Sequence, residues 1–109
     1  MSADIVELSF GNFDAVVGRA ALPVVADFWS DACPPCVQVR SILHEVAEEY
    51  REKAIVGSID VKANPGLAER FSVASVPTLI IFVGGEPVRR LVGARPKRHI
   101  VRELSSWTH

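Results

Sequence analysis

The sequence predicts a single α/β domain, residues 1–109, in which a mixed sheet carries helices on both faces. Three observations predict this fold. The chain of 109 residues is long enough for one hydrophobic core and too short for two domains. Apolar runs of strand length alternate with segments whose apolar residues recur at helical spacing, which favours parallel strands joined by helices. The last two apolar runs flank "GGEP", a glycine-rich turn typical of an antiparallel hairpin.

The first half of the chain predicts two strands and two helices. "DIVELS" alternates and predicts a short strand, after which Asn12 can cap a short helix through "FDAVVGRA". From Pro23, "PVVADFW" is a continuous apolar run, as expected of a strand covered on both faces. A long amphipathic helix then begins at the two prolines, with Arg40 and four glutamates largely on its polar side. Its apolar side is formed by Val39, Ile42, Leu43, Val46 and Tyr50.

The second half predicts a third strand, a short helix, the hairpin and a last helix. "AIVGSIDV" indicates a buried strand that joins the preceding one by a right-handed crossover. "NPGLAERF" predicts a turn with a short helix, and "TLIIFV" and "PVRRLVG" predict the hairpin strands. Pro96 suits the first position of the last helix. The apolar stripe of that helix would consist of Ile100, Val101, Leu104 and Trp107.

Composition and charge argue against several classes of function. With 12 basic and 13 acidic residues, the chain has no general attraction for nucleic acid. Positive charge gathers between Arg89 and Arg102, which we interpret as a solvated face. No apolar run reaches membrane-spanning length, and the N-terminus lacks the pattern of a secretory signal. We therefore expect a cytoplasmic protein, in which a close cysteine pair is catalytic or metal-binding rather than structural.

The only two cysteines, Cys33 and Cys36, come after a buried strand and at the start of a helix. Open α/β sheets place their sites at such junctions. A thiol at a helix N-terminus faces unpaired N–H groups and the positive end of the helix dipole, which favour the thiolate. One helical turn separates the two thiols, so they lie within disulfide range. We predict that Cys33 attacks a substrate disulfide and that Cys36 resolves the mixed disulfide.

A metal site is the alternative use of this pair. A single C-x-x-C supplies half of a four-ligand zinc site, and His44, His99 and His109 show no paired spacing. We therefore predict no bound metal, and we interpret His44 as a helix residue without a catalytic task.

Asp27 interrupts the otherwise apolar run "VVADFW". A carboxylate in a buried strand is costly unless it is paired or functional, and burial would raise its pKa toward neutrality. Such a group could take a proton from Cys36 and later return it. The sequence equally allows Asp27 to lie hydrated at an open strand end, so both interpretations remain.

Three segments together resemble the thioredoxin family. "DFWSDACPPC" resembles that family's D-F-W-A-x-W-C-G-P-C, and "NPGLAERFSVASVPTLIIF" is similar to its N-P-x-x-A-x-x-Y-x-I-x-x-x-P-T-L-x-x-F. "GGEPVRRLVGA" resembles its N-G-x-x-x-x-x-x-G-A. The segments fall at the family's spacings without gaps, and the match covers nearly the whole chain. The resemblance implies a thioredoxin fold, with a central five-stranded mixed sheet flanked by four helices.

The resemblance also implies the roles of the reacting groups. Cys33 is the nucleophile, Cys36 is the more buried resolving thiol, and Asp27 exchanges protons with Cys36. The implied activity is the reduction of protein disulfides by a monomer that binds no cofactor. Electrons would come from NADPH through a flavin-dependent thioredoxin reductase.

The substrate-binding surface is a further implication of the resemblance. Pro77 matches the family's cis-proline, which packs against the disulfide, and Val76 exposes its backbone to an extended substrate. Trp29 supports the site, and Gly93 leaves room for the docked peptide. Pro34 belongs to the same surface.

Four residues depart from the family pattern. Ala32 stands where a tryptophan is usual beside the nucleophile, so a large apolar contact for partners is missing. Pro34 replaces glycine and removes a backbone donor from beside the nucleophilic sulfur. Ser41 replaces a proline that often kinks the long helix. Ser58 replaces a lysine that commonly approaches the buried carboxylate, so we expect the pKa of Asp27 to be raised further than is usual.

We predict a thiol-disulfide oxidoreductase that reduces protein disulfides. One alternative is a more oxidising oxidase or isomerase that uses the same cysteines. Another is a thioredoxin-like module that binds a partner protein without turnover. Turnover is favoured, because a scaffold has no need of the cysteine pair, Asp27, Val76 and Pro77.

Overall fold

The computed structural model describes residues 5–108, so Asp4, which begins the predicted first strand, lies outside the described residues. Within that range the elements follow the predicted order and form an α/β fold. No helix there is both long and apolar enough to cross a membrane. The elements are β1 Val6–Leu8, α1 Phe13–Val16, β2 Val24–Trp29, α2 Pro34–Glu49, β3 Ile55–Asp60, α3 Pro65–Arg70, β4 Thr78–Val83, β5 Glu86–Val92 and α4 Lys97–Ser105.

The strands form one mixed sheet in the order β1, β3, β2, β4, β5. β3 runs parallel to β1 and β2, whereas β4 runs antiparallel to β2 and β5, so the predicted mixed sheet is confirmed. The register pairs Phe28 with Thr78 and Thr78 with Val92. The end of β2, the start of β4 and the end of β5 therefore lie at the same end of the sheet.

Helices cover both faces of the sheet, as predicted. On one face Val25 belongs to a buried cluster with Leu43 and other residues of α2 and α4. On the opposite face Val24 belongs to a second cluster with Phe13 and with Leu67 of α3. Because β2 is covered on both sides, its sequence is almost continuously apolar. Its one charged residue, Asp27, is therefore exceptional.

Two helix starts differ from the prediction. Asn12 occupies the N-cap of α1, but its side chain makes no capping hydrogen bond. Its Oδ1 accepts from the Ser9 N–H over 2.7 Å and its Nδ2 donates to the Glu7 carbonyl over 2.9 Å, because short amide side chains compete for nearby backbone groups. Pro96 lies just before α4 rather than in its first position. Its ψ of 154° is extended, and its carbonyl accepts from the Ile100 N–H over 3.3 Å.

Candidate active site

The two cysteines lie where β2 leads into α2. Cys33 is the N-cap of α2, with an extended backbone (φ −133°, ψ 90°), and prolines follow it in the first helical positions. The Cys36 N–H donates to the Cys33 carbonyl over 3.0 Å. The two residues form a disulfide, with Cα atoms 5.3 Å apart. The structure therefore confirms both the strand-to-helix junction and the disulfide range.

The two prolines leave the start of α2 short of backbone donors. The first residues of a helix normally carry N–H groups without intrahelical partners. Pro34 and Pro35 carry none, so Cys36 has the first N–H of the helix, and that group already donates to a carbonyl. The Cys33 sulfur therefore has fewer backbone donors near it than an ordinary helix N-terminus provides.

The disulfide is buried beneath a surface that partners can reach. Cys33 is 8% exposed and Cys36 is 5% exposed, in the order that the resemblance implies. Around them, Ala32 and Pro34 are exposed, and Val37 is 71% exposed. A partner that approaches the disulfide thus meets apolar surface even though residue 32 is not a tryptophan.

Asp27 lies within β2 with only 1% of its surface exposed, which excludes a hydrated strand end. Its neighbours across the sheet are Ser58 on β3 and Leu79 on β4. Among the described residues, no group forms a hydrogen bond with its Oδ1. Burial raises the pKa of Asp27 to about 7, and the positive charge of Arg40 opposes this rise. The carboxyl group can therefore gain or lose a proton near neutral pH.

A cavity of about 300 Å³ connects the buried carboxyl group with the disulfide. Asp27, Cys33 and Cys36 all line it. Its size leaves room for several water molecules beside Asp27 and Cys36. The other lining residues are Trp29, Ser30, Asp31, Val37 and Arg40.

Arg40 belongs to this site, although its position in the helical pattern indicated the polar side of α2. Its Nη1 donates to the Ser58 hydroxyl over 3.0 Å, and its guanidinium carbon lies 5.7 Å from the centroid of the Trp29 ring. Arg40 was not among the predicted site residues. One signal was available: Arg40 follows Cys36 by four residues, and residues four apart share a helical face.

The predicted substrate-binding loop lies at the same end of the sheet as the disulfide. The peptide bond between Val76 and Pro77 is cis, as the resemblance implies. The Gly93 N–H donates to the Pro77 carbonyl over 2.9 Å. Gly93 has a φ of +87°, and a Cβ built there would meet no atom within 4 Å. The fold thus brings these three residues together beside open space.

An ion pair that was not predicted from the sequence lies beside the site. Asp31 accepts from the Lys62 ammonium over 2.7 Å, with both side chains exposed. This hydrogen-bonded pair lowers the pKa of Asp31 and raises that of Lys62. A second cavity, of about 460 Å³, is lined by both Lys62 and Val76. The ion pair therefore borders a groove that continues to the cis-proline loop.

Metal-ligating side chains are not grouped in the part of the chain that the structure describes. Within residues 5–108, no three or more histidine, cysteine, aspartate or glutamate side chains gather in a way that could hold a metal ion. His109, one of the histidines weighed as a ligand, lies outside the described residues.

The family match and the similar proteins point to the same family. The sequence matches the model of the family Thioredoxin over residues 4–106. It is 41% identical over 100 residues to the thioredoxin of Mycobacterium tuberculosis, covering 92% of this chain and 86% of that protein. It is 44% identical over 96 residues to the thioredoxin of Mycolicibacterium smegmatis, covering 86% of each. A bifunctional thioredoxin reductase/thioredoxin of Mycobacterium leprae is 43% identical over 100 residues, which span 92% of this chain but 22% of that protein.

Proposed function

The chain belongs to the thioredoxin family and is a thiol-disulfide oxidoreductase that acts on proteins, and we propose that Cys33 is the sulfur with which it attacks. The observation that carries this proposal is the place of Cys33 at the N-terminus of α2, in a disulfide with Cys36 and beneath an accessible surface. Neither an isomerase-like role nor a binding module without turnover is favoured.

The reaction runs in two exchange steps. In the reduced protein, the Cys33 thiolate attacks one sulfur of a substrate disulfide and expels the other as a thiolate. The Cys36 thiol then loses its proton, attacks the Cys33 sulfur and expels the second substrate sulfur. Two electrons pass to the substrate, which becomes a dithiol, while the disulfide of this chain forms. The Cα separation of 5.3 Å supports a direct second step.

Asp27 is the group that takes the proton from Cys36 and returns it in the reverse reaction. Two findings support this role. The carboxyl group lines the same cavity as both cysteines, and its pKa is about 7. An unperturbed thiol has a pKa of about 8.5, so a base near 7 accepts its proton far more readily than an ordinary aspartate near 4.

An extended segment of the substrate docks beside the disulfide. Its backbone pairs with Val76 next to Pro77, and Gly93 leaves room for it. Pro34 contributes exposed apolar surface, and Trp29 supports the site from within the cavity. The open space at Gly93 and the groove lined by Val76 support this docking mode.

The protein is recharged by a flavin-dependent thioredoxin reductase that takes electrons from NADPH. This chain then needs neither NADPH nor flavin of its own, since the disulfide carries the electrons. The name of the Mycobacterium leprae relative joins thioredoxin reductase to thioredoxin, which supports a reductase as partner.

The working form is a single domain of residues 1–109 that acts as a cytoplasmic monomer, with neither nucleic acid nor membrane as a partner. The family match over residues 4–106 supports one domain, as does a single sheet that carries both buried clusters. The formal net charge of −1 argues against nucleic acid.

Serine substitutions test the two cysteine roles in an insulin reduction assay. Cys33→Ser should abolish reduction, because no sulfur remains to attack. Cys36→Ser should allow one attack and then accumulate a mixed disulfide, visible as a mass adduct that dithiothreitol removes. Ser41→Ala, an exposed change on the same helix, is the control and should leave the rate unchanged. Adducts on Cys33→Ser instead of Cys36→Ser would reverse the roles and refute the proposal.

A further inference from the structure

Arg40 is exposed as a residue, yet its charged group is fixed at two points over the site. The Ser58 hydroxyl accepts from Nη1 over 3.0 Å, and the guanidinium lies against the Trp29 ring at 5.7 Å. A planar guanidinium can stack on an aromatic ring and donate sideways at the same time, which an ammonium cannot do. The two contacts therefore hold a positive charge between α2 and β3.

The charge of Arg40 acts on the buried carboxyl group of Asp27. Both residues line the cavity that contains the disulfide. Across the sheet, Asp27 pairs with uncharged residues, Ser58 on β3 and Leu79 on β4, and Cys36 of α2 lines the same cavity. Within residues 5–108, Arg40 is the charged residue found to shift the pKa of Asp27, and it lowers it.

Two acidic residues line another cavity beside Arg40. This third cavity, of about 310 Å³, is lined by Arg40 and Ser58 together with Glu7 on β1 and Asp60 on β3. The Ser58 hydroxyl accepts from Nη1, and Arg40 lines both this cavity and the one that Asp27 shares with the disulfide.

We propose that Arg40 is a positioning residue for the exchange reaction: held by Ser58 and Trp29, its guanidinium favours the charged form of Asp27 and so keeps a base available to Cys36 at neutral pH. The inference rests on the proposed role of Asp27 as the base. The role of Arg40 also changes the expected effect of Ser58 on the charge around Asp27. This serine stands where the family commonly has a lysine, and here it anchors a cation that comes from the neighbouring helix.

Removing the cation should slow the second exchange step at neutral pH. With a pKa of about 7, Asp27 is about half charged at pH 7. Loss of a nearby opposite charge raises a carboxyl pKa by about one unit, so Arg40→Gln should reduce the charged fraction at pH 7 about fivefold. The second step should slow by the same factor and approach the wild-type rate at about pH 9, where Asp27 is charged in both proteins.

Stopped-flow reaction of the reduced protein with the aromatic disulfide 5,5′-dithiobis(2-nitrobenzoate) separates the two steps. The first thiolate released reports the attack by Cys33, and the second reports closure by Cys36. Arg40→Gln should leave the first phase unchanged and slow the second about fivefold at pH 7. Arg40→Lys, which keeps the charge but cannot make both contacts, should recover part of the second rate, and Ser58→Ala should slow it partly. Arg19→Gln is the control, since this exposed arginine precedes β2 at the opposite end of the sheet.

The Asp27→Asn background separates this inference from the proposed function. If Asp27 is the base, Asp27→Asn slows the second phase at all pH values, and adding Arg40→Gln has no further effect. If Asp27→Asn slows it but Arg40→Gln does not, the inference about Arg40 is wrong and the base role stands. If Asp27→Asn has no effect, the base role itself is wrong.

Carbon-13 NMR titration of the Asp27 carboxyl carbon in the oxidised protein should show a midpoint about one unit higher in Arg40→Gln. An unmoved midpoint would refute the inference independently of the kinetics.

Discussion

Replacing Asp27 by asparagine should change the stability of the oxidised protein in a pH-dependent way. The stability of the variant relative to the wild type should rise as the pH rises. The side chain keeps its size but can no longer ionise. Folding raises the pKa of Asp27, so the unfolded chain loses this proton at a lower pH than the folded chain does. Between the two pKa values, each rise in pH therefore favours the unfolded chain of the wild type. The variant has no such dependence at this position.

The magnitude follows from the two pKa values. The pKa rises from 3.8 for an ordinary aspartate to about 7 in the folded protein, a difference of about three pH units. Each unit corresponds to about 1.4 kcal/mol, so charging Asp27 in the fold costs about 4 kcal/mol. The cost is absent below about pH 4, grows between about pH 4 and pH 7, and is complete above pH 7. Between pH 5 and pH 8.5, the free energy of unfolding of the variant, relative to that of the wild type, should rise by about 3 kcal/mol.

Urea unfolding of both oxidised proteins at several pH values measures this gain directly. Any cost of burying the new amide group is the same at every pH, so only the pH-dependent part of the difference is informative. Asp31→Asn is the matched control, because this carboxylate is exposed and Lys62 lowers its pKa. The free energy of unfolding of this control, relative to that of the wild type, should not rise with pH. A stability difference between Asp27→Asn and wild type that stays constant from pH 5 to pH 8.5 would refute the reasoning.

Two further substitutions test local features of the site. Pro34→Gly restores an N–H at the first position of α2, and because a helix N-terminus stabilises an anion by about 0.3–1 kcal/mol, iodoacetamide should alkylate Cys33 about threefold faster near pH 6. An unchanged rate, with an unchanged reduction potential, would show that Pro34 is incidental. Gly93→Ala puts a Cβ into open space but on a φ of +87°, so it should cost about 1 kcal/mol and lower Tm by about 4–8 °C. Gly11→Ala, which meets only the Ser9 hydroxyl at 3.8 Å, is its control, and equal Tm values for the two variants would exclude backbone strain at Gly93.

The order of the elements could be predicted because each one has a strong local pattern. The continuous apolar run of β2 and the helical spacing of α2 leave little choice of structure. The ends of the elements were less predictable. The helix expected to reach Ala20 ends at Val16, where Gly18 weakens the following turn. Element bounds depend on a few hydrogen bonds at each end, whereas the pattern that identifies an element is spread along its length.

The parts of the site that lie along one segment could also be predicted. The position of Cys33 before a helix and the burial of Asp27 in a strand both follow from residues adjacent in sequence. The ion pair of Asp31 with Lys62 could not be predicted in this way, because it joins side chains 31 residues apart. Which exposed charges meet depends on how loops are placed at the end of the sheet, and hydrophobic periodicity carries no information about that.

Ser58 shows why the electrostatics of a buried group cannot be predicted from one position. Taken alone, the absence of a lysine at Ser58 predicts an Asp27 with less positive charge nearby. In the fold, the Ser58 hydroxyl accepts a hydrogen bond from Arg40, so a cation is present although it comes from α2. Because Coulomb energy depends on distance and burial rather than on the element that carries the charge, the two positions act as one feature. The absence of lysine on β3 therefore changes the source of the compensating charge and does not remove it.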